Sequence, residues 1–149
     1  MLFIAVDAGC RETWGYMGIG AVAFREGQRI AELSLARRGS YSLTAELLAI
    51  GYGLRMADAC GDDAACIATD CKNCIDLVNG RDDRWSPDTQ RHRRLQSLSR
   101  LINRWRATRP GWLLTWMPRD DVEPAHELAT LALERYRRLW RIPSIADGV

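Results

Sequence analysis

The chain has 149 residues, 47% of them hydrophobic and 27% charged, a balance that fits one globular domain and excludes a disordered or collagen-like chain. No apolar run approaches the ~20 residues that span a bilayer, and residues 2–6 have neither the basic leader nor the length of a signal peptide, so a cytoplasmic protein is expected. The net charge of +2 divides unevenly: residues 1–80 carry −3, residues 81–109 carry +6 and the remainder −1.

The first predicted element is a strand at residues 2–6, a continuous apolar run that ends in Asp7-Ala8-Gly9 and reads as buried on both faces. Residues 18–25 form a second strand, Glu26-Gly27 a turn, and residues 29–36 a third strand that closes a hairpin. Ser40, Ser42 and Thr44 offer cap residues to a helix at 43–59. A short buried strand at 64–69 leads into a helix at 71–78, which ends at Asn79-Gly80. A basic helix or helix pair covers 88–107, and Pro110-Gly111 breaks it. A strand at 112–117 and a final helix at 124–140, with proline near its start, complete the chain. The order β-β-β-α-β-α-α-β-α predicts a mixed sheet with helices packed on it.

Acidic groups stand where a core is expected. Asp7 and Asp70 each follow an apolar strand, at the carboxyl edge where open α/β sheets place their ligands. Taken singly, Asp7 reads as a strand end and Asp70 as a helix N-cap. Glu46 is different, because it falls within the stripe formed by Leu43, Leu47, Ile50, Leu54 and Ala57. A buried carboxylate is costly unless paired, protonated or bound to metal, and no basic residue shares that face nearby. Divalent cations would relieve the repulsion among the three, and hard oxygen donors suit Mg²⁺ or Mn²⁺. On the final helix, His126 falls at the margin of the apolar face and Glu127 points away from it.

These residues carry a family pattern: Asp7 after the first strand, Thr44-Ala45-Glu46-Leu47-Leu48-Ala49-Ile50 on the first helix, and Thr69-Asp70 before the second. Met117-Pro118-Arg119 then leads to Ala125-His126-Glu127-Leu128-Ala129. In this order, the sequence resembles the ribonuclease H family over nearly its whole length. Three positions depart from that pattern. His126 stands where the family has a fourth carboxylate, Cys71 replaces the usual serine, and the loop at 9–18 lacks an Asn-Pro pair.

The resemblance implies a single domain over 1–149. Its fold would be α/β, a ribonuclease H-like five-stranded mixed sheet with three antiparallel strands, then parallel ones, flanked by helices. It implies a metal-dependent endonuclease that hydrolyses the RNA strand of RNA/DNA hybrids, with two divalent cations roughly 3.5–4 Å apart. Asp7, Glu46, Asp70 and His126 would be both the catalytic and the metal-binding residues. Imidazole suits Mn²⁺ better than Mg²⁺, so Mn²⁺ is expected to be preferred. Gly9, Cys10, Gly18, Gly20, Cys71 and Asn73 would read RNA 2′-hydroxyls. Arg91, Arg94, Arg104 and Trp105 would grip phosphates. The protein is expected to act as a monomer on an RNA/DNA hybrid.

Other readings fit less of the sequence. Proofreading exonucleases carry Asp-x-Glu on the first strand, where this chain has Asp7-Ala8-Gly9. Cys71-Lys72-Asn73-Cys74 follows a strand and opens a helix, as a thiol–disulfide oxidoreductase motif does; that function leaves Asp7 and Glu46 unexplained. Cys60 and Cys66 are too irregularly spaced to complete a zinc site with that pair. A catalytically weak or inactive nucleic-acid-binding module is the alternative that His126 keeps open.

Overall fold

The computed structural model describes residues 1–11, 15–39, 41–81 and 90–140, with side chains through Tyr136. The expected cap residue Ser40, Arg84 and its neighbours, and the tail at 142–149 lie outside the described residues.

The described residues hold five strands: β1 (Leu2–Arg11), β2 (Tyr16–Arg25), β3 (Gln28–Arg38), β4 (Ala65–Thr69) and β5 (Trp112–Trp116). They form one sheet in the order β3-β2-β1-β4-β5. The first three are antiparallel, and β4 and β5 run parallel to β1. The first strand extends well past the expected end at residue 6. Asp-Ala-Gly punctuates a strand only where nothing pairs with it, and here β2 pairs with β1 from Leu2↔Arg25 through Arg11↔Tyr16. The parallel pairing with β4 stops earlier, at Ala5↔Ala68.

The helices are α1 (Ser42–Cys60), α2 (Lys72–Val78), α3 (Gln90–Ala107) and α4 (Arg119–Trp140). Strand alternation divides the core between the two faces of the sheet. Leu2, Ile4 and Val6 pack with the buried stripe of α1 and with Leu95 and Ile102 of α3. Ala5, Val22 and Ala68 pack instead with Val122 and Ala125 of α4.

Two helix starts differ from the sequence reading. The N-cap of α1 is Tyr41, in extended conformation and with no side-chain cap bond; its ring lies under the Arg91 guanidinium, 4.1 Å from the ring centroid. Helix α4 begins five residues before the expected Pro124. Asp120 and Asp121 favour its first turn through the helix dipole, and Val122 is fully buried there. That burial offsets the helical bond lost at Pro124.

Candidate metal centre

The parallel register of β1 and β4 sets the site. Two residues beyond the last pair, Ala5↔Ala68, come Asp7 and Asp70 at the same level. Beyond Thr69 the sheet has no β4 to cover that edge, and Asp70 begins the turn into α2. Glu46 approaches from the first turns of α1. Three ligand oxygens, one from each of Asp7, Glu46 and Asp70, lie within 4.8 Å of one another.

Asp7 is fully buried, and Glu46 and Asp70 are half-buried. Asp7 Oδ1 and Glu46 Oε2 are buried with no hydrogen-bond partner among the described residues. Orphaned carboxylate oxygens are expensive in a protein interior. Burial, then the charges of Asp7, Cys71 and Asp70, push Glu46 well above its ordinary carboxylate range. Burial and Asp70 likewise raise Asp7, with His126 and Arg119 opposing. Hard oxygen donors, mutual repulsion and two unsatisfied buried atoms together fit a divalent cation.

His126 completes the group from the opposite face of the sheet. Its Nδ1 is 2.7 Å from Asp7 Oδ2, and Glu127 is exposed. Asp70 does not cap α2. Cys71 is the N-cap, its sulfur accepting from the Cys74 amide, while Arg119 Nε donates to Asp70 Oδ2 at 2.7 Å. Arg119 Nη1 also lies 3.0 Å from His126 Nδ1, the nitrogen paired with Asp7, so the guanidinium is bonded to Asp70 and sits against the His126 ring. Sequence reasoning missed Arg119 as a site residue. Its signal was β5: a strand parallel to β4 brings its C-terminal end beside Asp70, and the Met117 amide donates to the Thr69 carbonyl at 2.9 Å.

The remaining candidates fall into two groups. Cys71 and Asn73 line a cavity of about 390 Å³ with Glu46, Asp70 and Arg119. Arg91 and Arg94 line a second cavity, of about 480 Å³, and Tyr41 borders both. Arg104 is exposed further along α3. Gly9 and Cys10 are half-buried in β1.

Three candidates are set deeper in the structure. Trp105 sits on the inner side of α3, half-buried against the core, because the helical period turns it away from the exposed arginines around it. Gly18 and Gly20 are buried in β2, between β1 and β3, where strand pairing occupies the main chain. Their lack of side chains seats α4: a Cβ at Gly18 would lie 2.2 Å from the Ala129 carbonyl oxygen, and one at Gly20 2.0 Å from that of Ala125.

The sheet order, the helices on both faces and the acidic edge define a ribonuclease H-like protein. Several solved structures share the arrangement. The N-terminal RNase H domain of rv2228c from Mycobacterium tuberculosis is 25% identical, with a TM-score of 0.72 over 92% of this chain and 96% of that one. RNase H1 from Halobacterium salinarum is 23% identical, with a TM-score of 0.74 over 90% and 98%. LC11-RNase H1, solved in complex with an RNA/DNA hybrid, is 22% identical, with a TM-score of 0.77 over 91% and 99%. No curated protein matches by sequence. The family model for reverse transcriptase-like proteins matches residues 5–132. The chain belongs to that family, on its ribonuclease H side.

Proposed function

We propose that this protein is a metal-dependent endonuclease that hydrolyses the RNA strand of RNA/DNA hybrids. The observation that carries the reading is the convergence of Asp7, Glu46 and Asp70, with two of their oxygens buried and unsatisfied. Asp7, Glu46 and Asp70 would hold two divalent cations. Bound there, the cations supply charge neutralisation and an activated water for in-line displacement at phosphorus.

The protein's own groups divide the remaining work. His126 holds Asp7 by its short hydrogen bond and serves as a weaker ligand or as the proton donor to the leaving 3′ oxygen. Arg119 balances Asp70 before the cations bind. Cys71 and Asn73, beside the carboxylates, face the RNA strand, where the 2′-hydroxyl separates RNA from DNA. Arg91, Arg94 and Arg104 grip phosphates without sequence preference. The shared Tyr41 border makes the basic and acidic cavities neighbours, as a single bound duplex requires. The hybrid-bound LC11 structure supports the choice of substrate.

Cleavage of an RNA/DNA duplex in Mg²⁺ and in Mn²⁺, beside an Asp70→Asn control, tests the reading. Hydrolysis in either metal that is lost in the control is expected. Hybrid binding without cleavage in either metal would establish a binding module instead, a reading that the His126–Asp7 and Arg119–Asp70 contacts favour.

A further inference from the structure

The close approach of Cys71 to Cys74 is not explained by hydrolysis. Both are free thiols, and their sulfurs lie 2.7 Å apart, less than 1 Å beyond the ~2.03–2.05 Å of a disulfide bond. Their settings differ. Cys71 is half-buried and lines the cavity that holds Glu46 and Asp70, whereas Cys74 is fully buried behind it. An accessible sulfur backed by a buried one is the arrangement that thiol–disulfide exchange uses.

The pair also stands between two of the carboxylates. The Cys71 amide donates to Thr69 Oγ1 at 3.1 Å, fixing the turn that presents Asp70. Cys71 Sγ accepts from the Cys74 amide at 3.3 Å. Cys74 Sγ faces the Leu43 carbonyl at 4.0 Å, one helical turn before Glu46. A covalent bond between the sulfurs would shift Cys71, in the turn that presents Asp70, and Cys74, which faces α1.

We propose that Cys71 and Cys74 form an oxidation site that closes to a disulfide and thereby weakens divalent-cation binding at Asp7, Glu46 and Asp70. The second half rests on the metal reading above. The oxidant is a small-molecule disulfide such as oxidised glutathione. Cys71 sulfur, giving its proton to solvent, attacks one oxidant sulfur, and the other leaves as a thiolate that takes up a proton. Cys74 sulfur, likewise deprotonated, then attacks Cys71 sulfur and expels the second glutathione thiolate, which is protonated in turn. Two electrons pass from the protein thiols to the oxidant, one disulfide is exchanged for another, and two free thiols are released.

The test uses the full chain with Cys10→Ser, Cys60→Ser and Cys66→Ala, so that only this pair remains. After incubation with oxidised glutathione, peptide mass spectrometry is expected to show loss of two hydrogens across residues 71–74, reversed by dithiothreitol. A persistent glutathione adduct on Cys71, or two thiols still open to alkylation, overturns the disulfide. Calorimetric titration with Mn²⁺ is expected to show roughly tenfold weaker binding after oxidation, as for other disturbances just outside a metal's ligands. Equal affinity overturns the coupling. Adding Cys71→Ser, which removes the sulfur that meets the oxidant, should leave Mn²⁺ affinity insensitive to oxidant, and a persisting loss in that variant overturns the coupling as well. Reduced protein that binds no Mn²⁺ would defeat the metal reading and the coupling together, while the peptide map would still decide the thiol pair.

Discussion

The acidic edge of the sheet and the basic helix α3 are built by opposite means. The acidic edge draws Asp7, Glu46 and His126 from three elements and Asp70 from the turn after a fourth, up to 119 residues apart in sequence. Asp7 is fully buried there and the other three are half-buried. The positive charge of α3 comes from a single helix whose Arg91, Arg94 and Arg104 are all exposed. Placing reactive groups against a scissile bond demands tertiary positions fixed within fractions of an ångström. Holding a polyanion demands only a local field that salt can screen. A change at the first region should therefore alter rate, and a change at the second should alter affinity.

Asp70→Asn gives the sharpest break. It removes one of three converging charges and should cut hybrid cleavage by roughly 10³-fold, the scale of several kcal/mol of lost transition-state stabilisation; hybrid binding measured without cleavage should change little. A variant retaining more than a tenth of wild-type activity would dissociate the acidic edge from the chemistry. The double change Arg91→Ala, Arg94→Ala should do the converse. Two fewer phosphate contacts lower the slope of log affinity against log salt by about 2, with the saturated cleavage rate preserved. An unchanged salt slope would remove α3 from the interface.

His126 sharpens the comparison within the acidic edge. Cleavage should be faster in Mn²⁺ than in Mg²⁺, because imidazole is the softer donor, and His126→Asp should shift the ratio towards Mg²⁺. Equal or greater wild-type activity in Mg²⁺ would remove His126 from the ligand set. The smallest expected effect concerns stability. Burial, then neighbouring charge, raises both Glu46 and Asp7, so each carboxyl holds its proton more tightly in the folded chain than in the unfolded one. Their contributions are full below the ordinary values, 3.8 for Asp7 and 4.5 for Glu46, and are lost as pH rises through the elevated folded values. Without divalent cations, Glu46→Gln should raise the melting temperature at alkaline pH by about 2–4 °C for each kcal/mol of repulsion relieved. That gain should shrink on acidification, and a gain independent of pH would contradict the assigned cause.

Much of this was legible in the sequence because it is periodic. The stripe of α1 and the intrusion of Glu46 into it follow from the 3.6-residue repeat, and the hairpin from Glu26-Gly27 between alternating runs. The level pairing of Asp7 with Asp70 was less accessible, since it needs β1 and β4 to be parallel neighbours, a fact about topology and not about either segment. Arg119 was missed for a related reason. Pro124 resembles a helix start, which left residue 119 in a loop with no partner to name. The roles of Gly18 and Gly20 were hidden because a close helix approach depends on the residues across the gap, Ala125 and Ala129.

That contact between β2 and α4 has an evolutionary consequence. With only hydrogen atoms at Gly18 and Gly20, the main chain of β2 sets how closely the last helix approaches the sheet there. Residue 126 hangs from this rigid frame at a margin that no core packing claims. Its chemistry can be exchanged, an imidazole for a carboxylate, without resetting the backbone frame of the site, although the contact with Asp7 changes with it. Of the four positions at the acidic edge, this one is the most open to tuning.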